Sequence, residues 1–303
     1  MPLIQYVKTK FGPERSAIIS RVNDLIADYS SQGYTLTLRQ LYYQFVARGW
    51  IANKQREYKR LGDIVNDGRL AGLVDWYAIE DRTRNLGGNS HWTDPGKIIE
   101  SAAHSYMIDK WEDQPYRIEV WVEKDALEGV VGQAARSLDI NYFSCRGYTS
   151  QTSMWDAGRR LMRYAEKGQE IIVLHLGDHD PSGIDMSRDI QDRLRMFMGD
   201  KEWALQFERI ALNADQINRY NPPPNPAKIT DSRYAKYQAK FGEESWELDA
   251  LEPKVITQLI TRAVARSRHD QKYKEQVSRE KTGKQLLTAA ARRWTDVAAF
   301  LEA

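Results

Sequence analysis

The chain of 303 residues has a single cysteine, few histidines and no long apolar run. One thiol, Cys145, excludes an intramolecular disulfide and a multi-cysteine metal site. No apolar run approaches the ~18 residues of a transmembrane helix, and the start lacks the apolar segment of a signal peptide. We therefore expect a cytoplasmic protein with no membrane contact. A glycine-rich phosphate loop is also missing, so an ATP-driven step would need a separate partner.

Charge is distributed unevenly along the chain, although the net charge is only +2. Residues 1–90 hold 13 Lys and Arg against 9 Asp and Glu, and residues 254–293 hold 11 against 3. Residues 91–253 hold 20 against 28, so an acidic middle lies between basic ends. This pattern suits a protein that grips a polyanion and holds cations at a reactive site. Solvated helix faces are the alternative interpretation.

The first 86 residues contain three helical patterns followed by an alternating stretch, LVDWYAIEDRTR. The third helix is basic in its first turns. This order predicts a winged-helix DNA-binding domain over residues 1–86, whose third helix enters a DNA groove. The alternative is that the basic residues form ion pairs with Asp63 and Asp67. The predicted DNA-binding residues are Lys54, Arg56, Lys59 and Arg60.

A breaker cluster, GGNSHWTDPG, marks a boundary after residue 86. Residues 87–114 are predicted to be a linker and a helix. Over residues 115–253, the apolar stretches IEVWVE, YFSCRG, IIVLHL and FERIAL alternate with helical patterns, which predicts an α/β domain with a parallel, Rossmann-like sheet. ELDALEP is predicted to add a short strand, and residues 254–303 to form a C-terminal extension of basic helices.

Carboxylates stand at the ends of two predicted strands. Asp178 and Asp180 follow IIVLHL, and Glu123 ends IEVWVE. Ligands of an open parallel sheet bind beyond the carboxyl ends of its strands, and carboxylates this close repel each other unless a cation lies between them. Hard oxygen ligands select Mg²⁺ or Mn²⁺. The sequence therefore predicts a site for one of these ions at Glu123, Asp178 and Asp180.

Three motifs carry a family resemblance. Glu123 in VEKDALEG, with Asp178 and Asp180 in LGDHDPSG, resembles the glutamate and DxD motifs of the Toprim domain. LTLRQLYYQF resembles the tyrosine segment of topoisomerase VI A subunits and of the meiotic double-strand-break transesterase, in which a winged-helix domain precedes Toprim. Together the resemblances cover residues 36–84 and 117–252. The nuclease subunit of the Wadjet plasmid-defence system pairs similar domains.

The resemblance implies Mg²⁺-dependent cleavage of double-stranded DNA. Tyr43 would be the nucleophile that forms a covalent tyrosyl–DNA bond, and Arg39, one helical turn away, would hold the phosphate. Glu123 would join the catalytic residues as well as the metal ligands. The family pattern also implies a homodimer, in which the tyrosine of one subunit works with the Toprim site of another, and a separate ATPase subunit.

Several alternatives remain open from the residues alone. Tyr43 can be a packing or DNA-contact residue, since it adjoins Tyr42. DNA can instead be cut by metal-assisted hydrolysis, as in a Toprim nuclease, or the chain can be a DNA-binding subunit without chemistry. A small-molecule phosphotransferase is a further reading. Glu247 and Asp249 alternate as on a strand and are weaker site candidates, and His175 is expected to be a hydrogen-bonded core residue.

Overall fold

A computed structural model describes residues 3–80 and 88–302 of the chain, which form a mixed α/β fold. The described strands of the main sheet are β1 (Tyr116–Val122), β2 (Asn141–Ser144), β3 (Glu170–Leu176) and β4 (Leu205–Ala211). The described α-helices are α1 (Pro13–Ser31), α2 (Leu38–Ala47), α3 (Gln55–Leu70), α4 (Pro95–Ser105), α5 (Glu128–Ser137), α6 (Gln151–Glu166), α7 (Pro181–Met198), α8 (Ala214–Tyr220), α9 (Tyr234–Phe241), α10 (Pro253–Ala265), α11 (Asp270–Arg292) and α12 (Trp294–Glu302).

The three N-terminal helices pack around one apolar core. Helix α2 begins with a capping box, in which Thr37 accepts from the Gln40 backbone and the Gln40 side chain accepts from the Thr37 backbone. Apolar residues at helical spacing on α1, α2 and α3 then face one another. The same core reaches Ala250, far along the chain. The N-terminal helices are thus packed against the segment that follows the sheet.

The ribbon predicted after the third helix is not seen as a strand pair in the described residues. Leu36 and Ile79 form an isolated parallel bridge, and Gln5 and Ala71 form an isolated antiparallel one. Residues 81–84 of the predicted ribbon and residue 87 of the predicted linker lie outside the described residues. The three helices are present, and the wing stays a prediction.

The main sheet is parallel throughout, with strand order β2-β1-β3-β4. Its two central strands, β1 and β3, are buried on both faces over most of their length, as continuous apolar sequence predicts. Helices α5 and α10 cover one face and helices α6 and α7 cover the other. Strand β2 lies on one side of β1, and β3 lies on the other side. The connections that follow β1 and β3 therefore run in opposite directions, which leaves a crevice beyond the carboxyl ends of these two strands.

The C-terminal helices α10 and α11 pack against different parts of the fold. Helix α10 buries Ile256 and Ile260 in the core of the sheet, inside the segment predicted as an extension. Helix α11 packs on α4, where Gly283 lies against the ring of Tyr106. No helix of the described residues combines the length and apolarity that crossing a bilayer requires.

The segment ELDALEP differs from its prediction. It contains a 3-10 helix, Leu248–Ala250, instead of a strand. A two-residue strand, β6 (Glu244–Ser245), precedes it and pairs with β5 (Asn225–Pro226). The backbone of Trp246 then pairs with that of His179, which fastens this segment beside the loop after β3. The alternation of acidic and apolar residues therefore belongs to a tight turn in which residues 248–251 are all buried.

Candidate functional site

The site lies in the crevice between the ends of β1 and β3. Glu123 directly follows β1, and Asp178 lies two residues after β3. The backbone N–H of Asp178 donates to Oε2 of Glu123 at 2.9 Å, so the two strand ends are joined. Sequence and topology thus place both residues where open parallel sheets bind their ligands.

Asp178 is the central carboxylate of the site and is only 4% exposed. Its Oδ1 accepts from the backbone N–H of Leu248 at 2.7 Å, and its Oδ2 lies 2.8 Å from Nζ of Lys124. Burial raises the pKa of this carboxyl, and Lys124 opposes the rise. Asp178 is therefore a desolvated carboxylate that depends on a nearby cation and on the 3-10 turn.

Three carboxylates converge at this point. Asp178, Glu247 and Asp249 each present an oxygen, and these oxygens all lie within 4.8 Å of one another. Asp249 is only 1% exposed. Glu247 precedes the 3-10 turn and Asp249 lies within it, and both side chains reach the same crevice. The acidic group is thus assembled from β3 and from a segment about 70 residues further along the chain.

The predicted ligand set is only partly the set that converges. Asp178 belongs to the converging group, but Asp180 is the N-cap of α7 and accepts from the backbone N–H of Gly183 at 2.6 Å. Glu123 accepts from the Asp178 backbone. Glu247 and Asp249, the weaker candidates, take the other positions. Their one sequence signal was a second acidic pair with the same two-residue spacing as Asp178 and Asp180.

Glu123 is buried beside this group and carries a shifted pKa. Burial is the largest cause and Asp178 the second, and together they raise the pKa of Glu123 to about 7. Lys124 and the hydrogen bond from the Asp178 backbone act in the opposite direction. A carboxyl of this kind exchanges protons near neutral pH, which is a property of general acids and bases.

Two glycines allow the loop after β3 to close on Glu123. A Cβ on Gly183 would lie 2.3 Å from the carbonyl oxygen of Asp178, and one on Gly177 would lie 2.9 Å from Oε2 of Glu123. Arg209 on β4 donates to the carbonyl oxygens of Gly177 and Gly183 at 2.8 and 3.1 Å. Burial lowers the pKa of Arg209 to about 10, so it stays charged at neutral pH.

Arg39 and Tyr43 of α2 lie next to the acidic group of the same chain. Nε of Arg39 donates to Oδ2 of Asp249 at 2.6 Å, and its NH2 lies 3.2 Å from Oε2 of Glu247. The Arg39 guanidinium is 5.3 Å from the centre of the Tyr43 ring. Tyr43 is 7% exposed, and burial followed by the charge of Asp249 raises its pKa. The guanidinium predicted to hold phosphate is thus paired with carboxylates, and the phenol stays protonated.

Three of the four cations predicted to bind DNA are exposed, and two of the four contact a glutamate. Lys54, Arg56 and Lys59 are exposed at the start of α3. Arg60 contacts Glu14 and lies 3.2 Å from Glu57. Arg56 lies 3.4 Å from Glu57 as well. The ion-pair alternative therefore describes Arg60 and Arg56, although the partners are not Asp63 and Asp67.

The remaining candidates are structural. His175 is fully buried with its Nδ1 3.0 Å from Oγ of Ser187, and burial lowers its pKa to about 3, which confirms a hydrogen-bonded core histidine. His179 is also buried, with Nδ1 2.8 Å from the hydroxyl of Tyr237. Cys145 is buried just after β2, and burial raises its pKa to about 12. None of the three presents a reactive group to the crevice.

The chemistry of the converging donors fits a hard divalent cation. Asp178, Glu247 and Asp249 offer only carboxylate oxygens, which suit Mg²⁺ or Mn²⁺. The ammonium of Lys124 lies among these oxygens, so the geometry already accommodates a cation there. No family model matches the chain, and no curated protein or solved structure matches it.

Proposed function

We propose that the chain is a Mg²⁺- or Mn²⁺-dependent enzyme that cleaves DNA at the crevice beyond β1 and β3. One observation carries the proposal, namely the convergence of Asp178, Glu247 and Asp249 at the carboxyl edge of a parallel sheet. The Toprim-like placement of Glu123 and Asp178 supports it. The proposed architecture is a Toprim domain that follows a winged-helix domain.

The substrate assignment depends on charge. Lys54, Arg56 and Lys59 form an exposed basic cluster at the start of α3, where phosphates of a duplex can be neutralised. Contacts between these side chains and DNA phosphates would give little preference for a DNA sequence. A polyanion held there is the substrate that a phosphodiester-cleaving site requires.

Hydrolysis is the mechanism that we favour. In hydrolysis, the water oxygen bonds to phosphorus and one phosphorus–oxygen ester bond breaks. The water proton passes to a base, and the departing oxygen takes up a proton from solvent to become a DNA hydroxyl. Glu123, which is joined to Asp178 through a backbone hydrogen bond, is the residue we assign as that base. When bound, the divalent ion would supply Lewis-acid stabilisation of the charge on the phosphate. Tyr43 is a poor nucleophile in this arrangement because it is buried, protonated and close to carboxylates.

Tyrosyl transesterification is the second candidate mechanism. It is favoured by the position of Tyr43 beside Arg39, next to the acidic group of its own chain. In this reaction the phenol oxygen attacks phosphorus, the phenolic proton leaves to a base, and a DNA hydroxyl is released. Tyr43, Arg39 and the acidic group lie together within one chain, so the reaction can be tested first with the single chain. A homodimer and an ATPase partner remain parts of this second proposal.

Cleavage of supercoiled plasmid with Mg²⁺ or Mn²⁺ tests the function and separates the mechanisms. Reactions are stopped with denaturing detergent and analysed with and without protease. We expect linear or nicked DNA whose mobility does not depend on protease, no cleavage by Asp178→Asn, and retained cleavage by Tyr43→Phe. The matched control is Asp192→Asn, which changes an exposed aspartate on α7.

Other outcomes of the plasmid assay are equally specific. DNA that enters the gel only after protease treatment, together with loss of cleavage in Tyr43→Phe, would establish transesterification. Salt-sensitive duplex binding without cleavage under either metal would indicate a binding subunit. Absence of duplex binding would overturn DNA as the substrate and favour a small phosphate ester.

A further inference from the structure

Lys124 holds the position that a divalent cation would take in the acidic group. We infer that the Lys124 ammonium and the divalent ion replace one another at Asp178 and Asp249, so that Lys124 is an internal counterion of the metal-free protein. This inference rests on the proposed function, because it concerns the same metal site.

Lys124 contacts each of the three carboxylates of the group. Its Nζ is 2.8 Å from Oδ2 of Asp178 and 3.3 Å from Oδ1 of Asp249, and it also contacts Oε2 of Glu247. One ammonium thus bridges all three converging carboxylates. A metal ion that used the same oxygens would have to occupy the same space.

Arg39 and Lys124 share Oε2 of Glu247 but contact different oxygens of Asp249. Nε of Arg39 donates to Oδ2 of Asp249, while Lys124 faces Oδ1 of that residue. Arg39 can therefore stay in place when Lys124 leaves. The two cations divide their roles, since Arg39 fixes the 3-10 turn and Lys124 fills the space between the carboxylates.

Electrostatics favours a cation at this position. Asp178 and Asp249 are 4% and 1% exposed, and desolvated carboxylates without a counterion are strongly destabilising. A divalent ion bound to the oxygens of Asp178 and Asp249 that Lys124 contacts would repel the ammonium and need its space, so the ammonium has to move when a metal arrives. The Lys124 side chain is 13% exposed and has a flexible four-carbon stem, which gives its ammonium a route to solvent.

Metal affinity of a charge-deleted variant is the first test. Mn²⁺ is titrated calorimetrically into the wild type, Lys124→Met, Lys124→Arg and the control Lys97→Met, in which the lysine pairs with Glu100 on exposed α4. Because close charge pairs couple strongly, we expect Lys124→Met to bind Mn²⁺ about tenfold more tightly or better. Lys124→Arg and Lys97→Met should show no gain. Lys124→Met should also unfold at a lower temperature than wild type without metal and recover with Mn²⁺.

Lysine footprinting of the wild type is the second test, and it needs no variant to fold. The folded protein is treated with an amine-acetylating reagent over a Mn²⁺ series, and acetylation at each lysine is quantified by mass spectrometry. We expect acetylation of Lys124 to rise as Mn²⁺ saturates, while acetylation of Lys97 stays constant. A nearby charge that merely weakened metal binding would leave the reactivity of Lys124 unchanged.

The outcomes separate this inference from the proposed function. Saturable Mn²⁺ binding with constant Lys124 reactivity, or weaker binding by Lys124→Met, would overturn the exchange and leave the metal site intact. No Mn²⁺ binding by wild type or Lys124→Met would remove the metal site itself, and with it both proposals.

Discussion

Arg39 on α2 donates through Nε to Oδ2 of Asp249 at 2.6 Å, and the two residues are 210 positions apart in the chain. Asp249 is buried, whereas the Arg39 side chain is 44% exposed. This contact fastens the N-terminal helices to the turn that completes the acidic group. It is a structural link between the predicted DNA-binding part of the chain and the proposed reactive site.

Arg39→Ala should lower the free energy of unfolding by about 1–3 kcal/mol, because it leaves the buried Asp249 without one of its two cationic partners. Arg39→Lys should cost less, since it retains a charge but not the guanidinium geometry. Urea denaturation measures both variants. Arg56→Ala on α3, where the arginine is 87% exposed, is the control and should leave stability within about 0.5 kcal/mol of wild type. Equal stabilities for Arg39→Ala and the control would contradict a role for the Asp249 contact.

Gly183→Ala should destabilise the protein by about 1–3 kcal/mol, because the new Cβ would lie 2.3 Å from the carbonyl oxygen of Asp178. Helix propensity alone predicts the opposite sign, since alanine favours helices over glycine by about 1 kcal/mol. Thermal and urea unfolding distinguish the two. Gly88→Ala is the control, because a Cβ there meets nothing within 4 Å. Stabilisation by Gly183→Ala would mean that the loop after β3 is not closely packed on α7.

Arg160→Met should destabilise the protein by about 3–5 kcal/mol, because it leaves the charge of Glu119 buried without its cationic partner. Glu119 is 1% exposed in the middle of β1, and Arg160 on α6 donates to both of its oxygens at 2.9 Å. The double variant Glu119→Leu/Arg160→Met should recover much of the loss, since no charge remains to be compensated. A double-mutant cycle in urea measures the coupling. Additive losses in the double variant would show that the two side chains act independently.

Stability should fall in acid through the contact between α11 and Lys110. Lys110 lies 2.6 Å from Glu280, and hydrogen bonds from Lys110 and Lys284 outweigh partial burial and lower the pKa of Glu280 from 4.5 to about 2. A carboxyl group whose pKa is lower in the folded protein than in the unfolded chain stabilises the folded state at pH values above its unfolded-state pKa. This stabilisation is lost as the pH falls toward the folded-state pKa. The stability difference between wild type and Glu280→Gln should therefore shrink from pH 5 to pH 2. Urea denaturation across this range measures it, and a constant difference would refute the assignment.

The sequence by itself determined the parallel sheet and the strand ends of the site. Continuous apolar stretches predicted strands where β1 and β3 occur, and helical spacing predicted α1, α2, α6 and α7. Glu123 and Asp178 were found because strand ends of a parallel sheet meet at one edge, which local sequence can indicate. These features depend on periodicity over a few residues.

Tertiary structure alone decided which carboxylates converge and which cation lies among them. Asp180 is a helix cap and not part of the group. Glu247 and Asp249 belong to the group through a 3-10 turn whose alternating sequence resembles that of a strand. Lys124 and Arg39 reach the group from separate parts of the chain. Such contacts arise from packing between distant segments, and the spacing of residues within one segment carries no information about which distant charges will neutralise one another.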